Sequence, residues 1–300
     1  MKSVVLYVSP QHYVLNFSLR KIDGLKIIQK DLWNQKIPKI AMKIFRRLDV
    51  LGAKIVSNIS EDRGKYDVAI YPEWEMTPQL LNYIIKHPIA KKQVIFFANA
   101  VNKKTEYILK KSRRSNICLY TYNSADSRNY QMKYCRQCWN KDLVGLENKE
   151  SESDIFFVGL AKTRYSDIVK IKCLCENKGL KTDFVIVSKN DEPYTSHERL
   201  PYTECIERVK RSKAVLDIVG DGNIGLTYRP LEALFLKRKL VTNYSEIQEY
   251  DFYNDNRENI FILGVDDLNG ISEFVREPFK ENKFDMMKYD IESWIQSLVE

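Results

Sequence analysis

Short apolar segments rich in β-branched and aromatic residues alternate with segments of helical periodicity, and this alternation constrains the fold more than any other feature. In the first half of the chain these apolar segments read SVVLYV, AKIVSN, YDVAIY, KQVIFFA and NICLYTY. Strands that alternate with helices form parallel sheets covered by helices on both faces. The first half is therefore predicted to be a doubly wound α/β domain.

A wholly polar stretch, ENKESES at 147–153, interrupts the alternation and is typical of a linker between domains. After it the strand pattern restarts with DIFFVG and continues through TDFVIVS, AVLDIV, KLVTN and NIFILG. We therefore expect an N-terminal domain over residues 1–148 and a second doubly wound domain over 149–285. A last apolar helix, 286–300, carries Met287, Ile291, Trp294, Ile295 and Leu298 at helical spacing and is expected to cross back to the first domain.

The charge is distributed unevenly between the two halves. Residues 1–150 contain 27 Lys and Arg against 13 Asp and Glu, a net charge of +14, whereas the remainder carries −6, for the overall +8. A basic half attracts anionic ligands such as nucleic acid, lipid headgroups or phosphorylated glycans.

The sequence also bears on the compartment. It has no run of 18 apolar residues, and the apolar run at its start is too short for a signal peptide. The six cysteines occur in an otherwise ordinary composition and are expected to be reduced thiols. We therefore expect a soluble cytoplasmic protein.

A glycine pattern, G-x-G-x-x-G, occurs at Gly220, Gly222 and Gly225. In a dinucleotide-binding fingerprint the helix begins at the third glycine. Here Thr227 is a natural N-cap and Pro230 suits a first turn, so the helix is predicted to open between 227 and 230. The match is interpreted as fortuitous, with an NAD(P)-dependent oxidoreductase kept as an alternative.

The same loop still offers an anion site. It joins the end of a strand to a helix N-terminus, whose free N–H groups and dipole favour a phosphate. Arg229 adds a cation at the helix start. Glu232 in the first turn either accepts hydrogen bonds from ribose hydroxyls or only complements the helix dipole.

The segment GLTYRPLEAL, followed by KRKLVTN and later by YDFYN and NIFIL, resembles the C-terminal half of bacterial glycosyltransferases of lipopolysaccharide-core and capsular polysaccharide synthesis. The resemblance is specific over residues 155–265. It implies the GT-B architecture, in which two Rossmann-like domains face a central cleft and the second domain binds the nucleotide sugar. It further implies that Glu232 contacts the ribose and that Gly225, Leu226 and Thr227 lie near the diphosphate.

Other candidates follow strands of the second domain. In FFVGLAKTRY, Gly159 ends a strand, and Lys162 and Arg164 are placed to meet a leaving diphosphate unless they are merely solvated loop cations. Ser188 and Tyr202 are expected to neighbour the nucleotide base. Alanine in place of Glu232 is expected to weaken nucleotide binding without unfolding the protein.

Candidate bases follow strands of the first domain. His12 and Glu73 are the two catalytic candidates, the first because an ordinary histidine titrates near neutral pH. Glu75 and Asn99 share this placement. The sequence has no Asp-x-Asp motif, so cationic side chains and a helix N-terminus are expected to replace a metal ion, and no cofactor is expected.

Two further segments suggest other partners. KIPKIAMKIFRRL is predicted to be a basic amphipathic helix, which either packs its apolar stripe on the core or contacts an anionic membrane. Cys135 and Cys138 form a C-x-x-C pair without the four ligands that structural zinc needs, so a zinc site is not expected.

These features predict a metal-independent glycosyltransferase that moves a hexosyl or deoxyhexosyl group from a nucleoside-diphosphate sugar to an anionic or lipid-linked bacterial surface glycan. Peripheral contact with the cytoplasmic membrane is expected, and a nucleic-acid partner is not. The alternatives are the NAD(P)-dependent oxidoreductase and a non-catalytic binder of anionic polymer.

Overall fold

The computed structural model describes the chain except residues 19, 49–51, 53, 54, 56, 114, 146–149 and 221–224. Two compact units are present: Met1–Asn140 together with Ile291–Glu300 forms unit 1, and Lys141–Asp290 forms unit 2. Each unit has one six-stranded sheet, and every described strand pair in both sheets is parallel. The predicted α/β class with two parallel sheets is confirmed.

The sheet of unit 1 has the order β2-β1-β3-β4-β5-β6. Its strands are β1 (Lys2–Leu6), β2 (Leu25–Gln29), β3 (Tyr66–Pro72), β4 (Ala90–Phe97), β5 (Ile117–Thr121) and β6 (Lys133–Tyr134). Its helices are α1 (Lys39–Leu48), α2 (Pro78–Lys86), α3 (Glu106–Ser112) and α4 (Ser124–Tyr130). Consecutive residues of β3 and β4 are buried, so helices and loops cover both faces of the sheet.

Four of the five predicted strands of the first half coincide with β1, β3, β4 and β5. In the fifth, AKIVSN, three of the six residues lie outside those that the structure describes, and the described Ile55 is helical. The sequence did not predict β2, a half-buried edge strand that pairs with β1 from Lys2↔Leu25 to Leu6↔Gln29.

The sheet of unit 2 has the order β12-β11-β10-β7-β8-β9. Its strands are β7 (Ser153–Leu160), β8 (Thr182–Val187), β9 (Thr195–Ser196), β10 (Ser212–Asp217), β11 (Lys239–Thr242) and β12 (Ile260–Ile262). Its helices are α5 (Tyr165–Asn177), α6 (Tyr202–Lys210), α7 (Tyr228–Phe235), α8 (Tyr253–Asn256) and α9 (Ile271–Arg276). Counted within the unit, this is the Rossmann order 3-2-1-4-5-6.

Both sheet orders reverse direction at one point. The reversal lies between β1 and β3 in unit 1 and between β7 and β10 in unit 2. In open parallel sheets, ligands bind beyond the carboxyl ends of the strands at such a switch point. The topology therefore directs attention to the loops after these four strands.

The last helix, α10 (Ile291–Val299), belongs to unit 1. Its Trp294 ring packs edge-on against Phe96 at a centroid distance of 5.0 Å, and Lys2 Nζ donates to the carbonyl of Val299 at 3.1 Å. The helix starts later than predicted, because Met287 lies in a short 3-10 turn of unit 2. None of the described helices is long and apolar enough to cross a bilayer.

Candidate functional site

Arg164 joins the two strands at the switch point of unit 2. Its Nη2 donates to the carbonyl of Leu160, the last residue of β7, at 2.8 Å, and its Nη1 donates to the carbonyl of Ile218, directly after β10. Burial lowers the pKa of this guanidinium. Arg164 is predicted to meet a diphosphate, and in the structure two of its nitrogens hold the backbone at the ends of both strands.

Gly159 leaves the space that this arrangement needs. A Cβ atom at this position would lie 2.9 Å from Cζ of the buried Phe157 and 3.3 Å from Nη2 of Arg164. Gly220 approaches the same side chain from the other strand, since its Cβ would lie 3.3 Å from Cδ of Arg164. Both glycines therefore permit close packing around one cation.

The helix after β10 begins where the sequence predicts. Thr227 caps α7, its hydroxyl oxygen accepting from Arg229 N at 3.3 Å and donating to Asp217 Oδ1 at 3.1 Å. Thr242 donates to the other oxygen of Asp217 at 3.4 Å. Burial raises the pKa of Asp217 to about 6, even though Thr227, Arg229 and Arg164 act to lower it.

The glycine motif does not match a dinucleotide fingerprint. It follows β10, the fourth strand of the Rossmann order, whereas the fingerprint joins the first strand to the first helix. Gly225 has φ +135°, a conformation that favours glycine, and α7 starts three residues later, at Tyr228. Leu226 is fully buried, and Gly222 lies outside the described residues.

Glu232 forms an ion pair in which its own carboxylate is buried and the side chain of Arg229 is partly exposed. Its side chain is 1% exposed, Tyr202 donates to its Oε1 at 2.8 Å, and Arg229 Nη1 contacts its Oε2. A second nitrogen of Arg229 lies 3.4 Å from the carbonyl of Val158 in β7. Burial lowers the pKa of Arg229, but the carboxylate of Glu232 raises it, and the net shift is upward.

This pairing changes the interpretation of two predicted residues. Tyr202 is predicted to lie beside a nucleotide base, and its hydroxyl donates to Glu232. Both oxygens of Glu232 are engaged and buried, so a ribose could reach them only by displacing one of these partners. The i, i+3 spacing of Arg229 and Glu232 was a sequence signal for their pairing.

A second feature of unit 2 is a cavity of about 490 Å³, which we name the β8 cavity. It lies beyond the carboxyl ends of β7 and β8 and has the size of a small-ligand site. The residues that line it are Leu160, Ala161, Lys162, Val187, Ser188, Lys189, Asn190, Glu192, His197 and Arg199. The predicted Lys162 and Ser188 thus share one cavity, because adjacent parallel strands end at the same edge.

The lining of the β8 cavity contains three cations. Lys189 and Arg199, which were not predicted from the sequence, join Lys162 there. Ser188 Oγ donates to Glu192 Oε2 at 3.1 Å. Lys162 has φ +42°, a conformation that is uncommon for a residue other than glycine and that is concentrated at functional sites.

His12 follows β1 at the switch point of unit 1. Its Nδ1 accepts from the backbone N–H groups of Val14 at 3.2 Å and Leu15 at 3.0 Å, which places the proton of the neutral ring on Nε2. Burial lowers its pKa to about 4. A neutral ring at physiological pH has an Nε2–H that donates a hydrogen bond, and the role of His12 as a base stays a prediction.

Glu73 directly follows β3, and its carboxylate is 3% exposed. Its oxygens accept from the side-chain amide of Asn99 at 2.6 Å and from Ala98 N at 3.1 Å, both at the end of β4. Burial raises its pKa, against the lowering effect of these hydrogen bonds. Glu75 is directed elsewhere, because its carboxylate accepts from Trp33 Nε1 at 2.7 Å.

Helix α1 does not bury the whole apolar stripe that its sequence predicts. Ile37 packs on the core of unit 1, but Ile40 is 78% and Ile44 is 50% exposed, and Phe45 is exposed as well. The side chain of Leu48 lies outside those that the structure describes. A row of apolar side chains therefore remains uncovered beside the basic residues of this helix.

The C-x-x-C pair is buried. Cys135 and Cys138 are free thiols, and burial raises the pKa of Cys135 to about 12. The described residues contain no group of three or more His, Cys, Asp and Glu side chains that could hold a metal ion.

The fold and these sites define a two-unit α/β protein with a cationic switch point in a Rossmann-order sheet. The chain is similar to a solved structure of phage T4 β-glucosyltransferase in complex with UDP-glucose, at 12% identity and a TM-score of 0.45, covering 99% of this chain and 93% of that one. A second structure of T4 phage β-glucosyltransferase is similar at 13% identity and a TM-score of 0.46, covering 99% and 92%. No family model and no curated protein matches the chain.

Proposed function

We propose that this protein is a metal-independent glycosyltransferase of the GT-B type, which moves a hexosyl or deoxyhexosyl group from a nucleoside-diphosphate sugar to a bacterial surface glycan. The observation that carries the proposal is the switch point of unit 2, where Arg164, Arg229 and the capped start of α7 meet the end of β7. Rossmann-order sheets bind nucleotides at this place.

In this proposal the donor binds beyond the end of β7, the strand that borders both the switch point and the β8 cavity. Lys162, Lys189 and Arg199 would stabilise the negative charge of the nucleoside diphosphate as it leaves. This is the work that a metal ion performs in metal-dependent transferases. Ser188 and Glu192 offer a hydroxyl and a carboxylate to the polar edge of the base or to the ribose.

Unit 1 supplies the base. Glu73 is the candidate, because a buried carboxylate with a raised pKa accepts a proton more readily than an exposed one. It takes the proton of the acceptor hydroxyl, whose oxygen forms a bond to the anomeric carbon of the donor sugar. The bond from that carbon to the diphosphate oxygen breaks, and the electron pair leaves with the diphosphate.

Helix α1 supports a peripheral contact with anionic membrane. Exposed Ile40 and Ile44 lie beside Lys39 and Lys43, which is the pattern of an interfacial helix. Co-sedimentation with phosphatidylglycerol vesicles should fall by about tenfold in Ile40→Ser/Ile44→Ser, as expected when two apolar anchors are lost. Equal co-sedimentation of the variant and the wild type would contradict the contact.

The oxidoreductase alternative is favoured by the strand order of unit 2, which dinucleotide-binding domains share. It is opposed by the position of the glycine motif after β10. Thermal unfolding of the full chain with UDP, GDP, CMP, dTDP, NADH or NADPH, each with and without magnesium, separates the two functions. A ligand at 100 times its Kd adds about 2.7 kcal/mol of stability.

Stabilisation by one nucleoside diphosphate, unchanged by magnesium, would support the transferase. Stabilisation by NADH or NADPH alone would support the oxidoreductase instead. A nucleotide effect that requires magnesium would contradict the metal-independent chemistry.

A further inference from the structure

A cavity of about 780 Å³ in unit 1 lies next to Glu73. We name it the unit 1 cavity. The residues that line it are Lys39, Met42, Lys43, Glu73, Trp74, Met76, Thr77, Asn99, Asn102, Lys104, Thr105 and Tyr107. A space of this size accommodates one or two sugar rings, and it lies beyond the carboxyl ends of β3 and β4.

The lining is cationic. Lys39, Lys43 and Lys104 contribute three ammonium groups, and none of them forms an ion pair with another described residue. Glu73 is the one carboxylate among the lining residues, and it is buried against Asn99 and Ala98. The positive charge of the cavity is therefore not compensated from within the described part of the chain, and the cavity attracts an anion.

The lining also contains a surface suited to a sugar ring. Trp74 is 39% exposed, and two rings hold it in place: Phe96 packs edge-on at a centroid distance of 5.4 Å, and His12 stacks at 6.1 Å. An indole held in this way offers a rigid apolar face to the C–H groups of a pyranose. Asn99 donates one amide hydrogen to Glu73, and no described residue donates to its amide oxygen, which is free to accept from a sugar hydroxyl.

We propose that the unit 1 cavity binds an acidic sugar residue of the acceptor, with its ring on Trp74 and its carboxylate or phosphate group among Lys39, Lys43 and Lys104. This inference rests on the proposed function and names the class of acceptor. The hydroxyl that reacts would then lie near Glu73. An acidic sugar has both an anionic group for the lysines and a ring for Trp74, so one ligand matches both features of the cavity.

A single-stranded nucleic acid would use the same groups differently. It needs a basic groove that follows its backbone, with several aromatic side chains for successive bases. The unit 1 cavity offers one exposed indole and a bounded volume, which favours a single sugar residue. Nucleic acid is therefore an outcome of the test that would overturn the proposal.

The test is a calorimetric titration of the full chain, without nucleotide, with glucuronic acid, glucose 6-phosphate, glucose, inorganic phosphate and a ten-residue oligothymidylate. We expect glucuronic acid or glucose 6-phosphate to bind at least tenfold more tightly than glucose or inorganic phosphate. Whichever of the two binds more tightly distinguishes a carboxylated from a phosphorylated acceptor. Trp74→Leu should weaken the acidic and the neutral sugar alike, by about fivefold.

The matched variants are Lys43→Gln, Lys104→Gln and the control Lys103→Gln, which removes the same charge one residue outside the cavity lining. The first two should each reduce the preference for the acidic sugar about fivefold, and the control should retain it. Equal binding of glucose and glucuronic acid, an equal effect of Lys103→Gln, or tightest binding of inorganic phosphate or oligothymidylate would overturn the proposal.

Thermal stabilisation of the wild type by nucleotides separates this inference from the proposed function. If a nucleoside diphosphate stabilises the wild type but the sugars show no preference, the acidic acceptor is wrong and the transferase stands. If no nucleotide stabilises the wild type, the proposed function fails independently of the sugar result.

Discussion

Asp217, the last residue of β10, accepts a 3.1 Å hydrogen bond from the hydroxyl of Thr227, the residue that caps α7. One buried carboxylate thus fixes both ends of the glycine-bearing loop between them. Burial raises its pKa from 3.8 to about 6. The folded state therefore retains a proton that the unfolded state releases.

The variant Asp217→Asn tests this carboxylate. Because the pKa is raised in the folded state, stability is lost as the pH rises from about 4 to 6, by about 3 kcal/mol for a shift of this size. Urea unfolding at several pH values should show this loss in the wild type relative to Asp217→Asn, and no further difference above pH 7. Parallel pH profiles of the two proteins would contradict the buried carboxylate.

Glu232→Ala is expected to destabilise unit 2. The substitution leaves the guanidinium of Arg229 without its buried partner, which costs about 3 kcal/mol. This loss of stability adds to the sequence-based expectation that the variant weakens nucleotide binding without unfolding the protein. Glu204→Ala is the control, since it breaks a surface pair with Arg208 and should cost at most about 1 kcal/mol.

Urea unfolding measures both variants. The double variant Arg229→Ala/Glu232→Ala should lose less stability than the sum of the single variants, because each removes the same pair. Additive losses, or a Glu232→Ala protein as stable as Glu204→Ala, would show that the pair is not buried in solution.

His12 is expected to remain neutral at physiological pH. Its Nδ1 can accept hydrogen bonds from the two backbone N–H groups only when it carries no proton. Burial also lowers the pKa of His12 to about 4. The imidazole NMR signal that disappears in His12→Gln should stay constant between pH 6 and 8 and titrate near pH 4. A midpoint between pH 6 and 7 would restore His12 as a candidate base.

Glu73→Gln is expected to reduce kcat by about 10²- to 10⁴-fold, the range for loss of a general base. Nucleotide stabilisation should not change, because Glu73 belongs to unit 1. The rate of the wild type should rise as the pH passes through the raised pKa of Glu73, because the base must be ionised. The rate of the variant should not show this rise with pH.

Glu75→Gln is the matched control for that experiment. Glu75 is two residues away, and its carboxylate accepts from Trp33 instead of lining the unit 1 cavity. A loss of rate as large in Glu75→Gln as in Glu73→Gln would mean that the region supports the fold and that Glu73 is not the base.

Features that depend on neighbouring residues in the chain could be predicted from the sequence. The Thr227 cap and the start of α7 were predicted because capping depends on residues within one turn. Lys162 and Ser188 share the β8 cavity because strands that are adjacent and parallel end together. The edge strand β2 was missed, since its half-buried residues carry only a weak pattern.

Long-range packing could not be read in the same way. The burial of Glu232 depends on Tyr202, thirty residues earlier, and on a carbonyl of β7 that holds Arg229. The tautomer of His12 depends on how its loop turns back toward Val14 and Leu15. Such contacts are set by tertiary structure, which residue type and local position do not determine.

The switch point and the β8 cavity are the proposed site of a nucleoside diphosphate in unit 2. Hydrogen exchange of the full chain with and without saturating UDP, GDP or dTDP tests this site. One of the three should protect the segments 159–164 and 188–199. Protection confined to the first 140 residues, or no protection by any of the three nucleotides, would contradict the proposal.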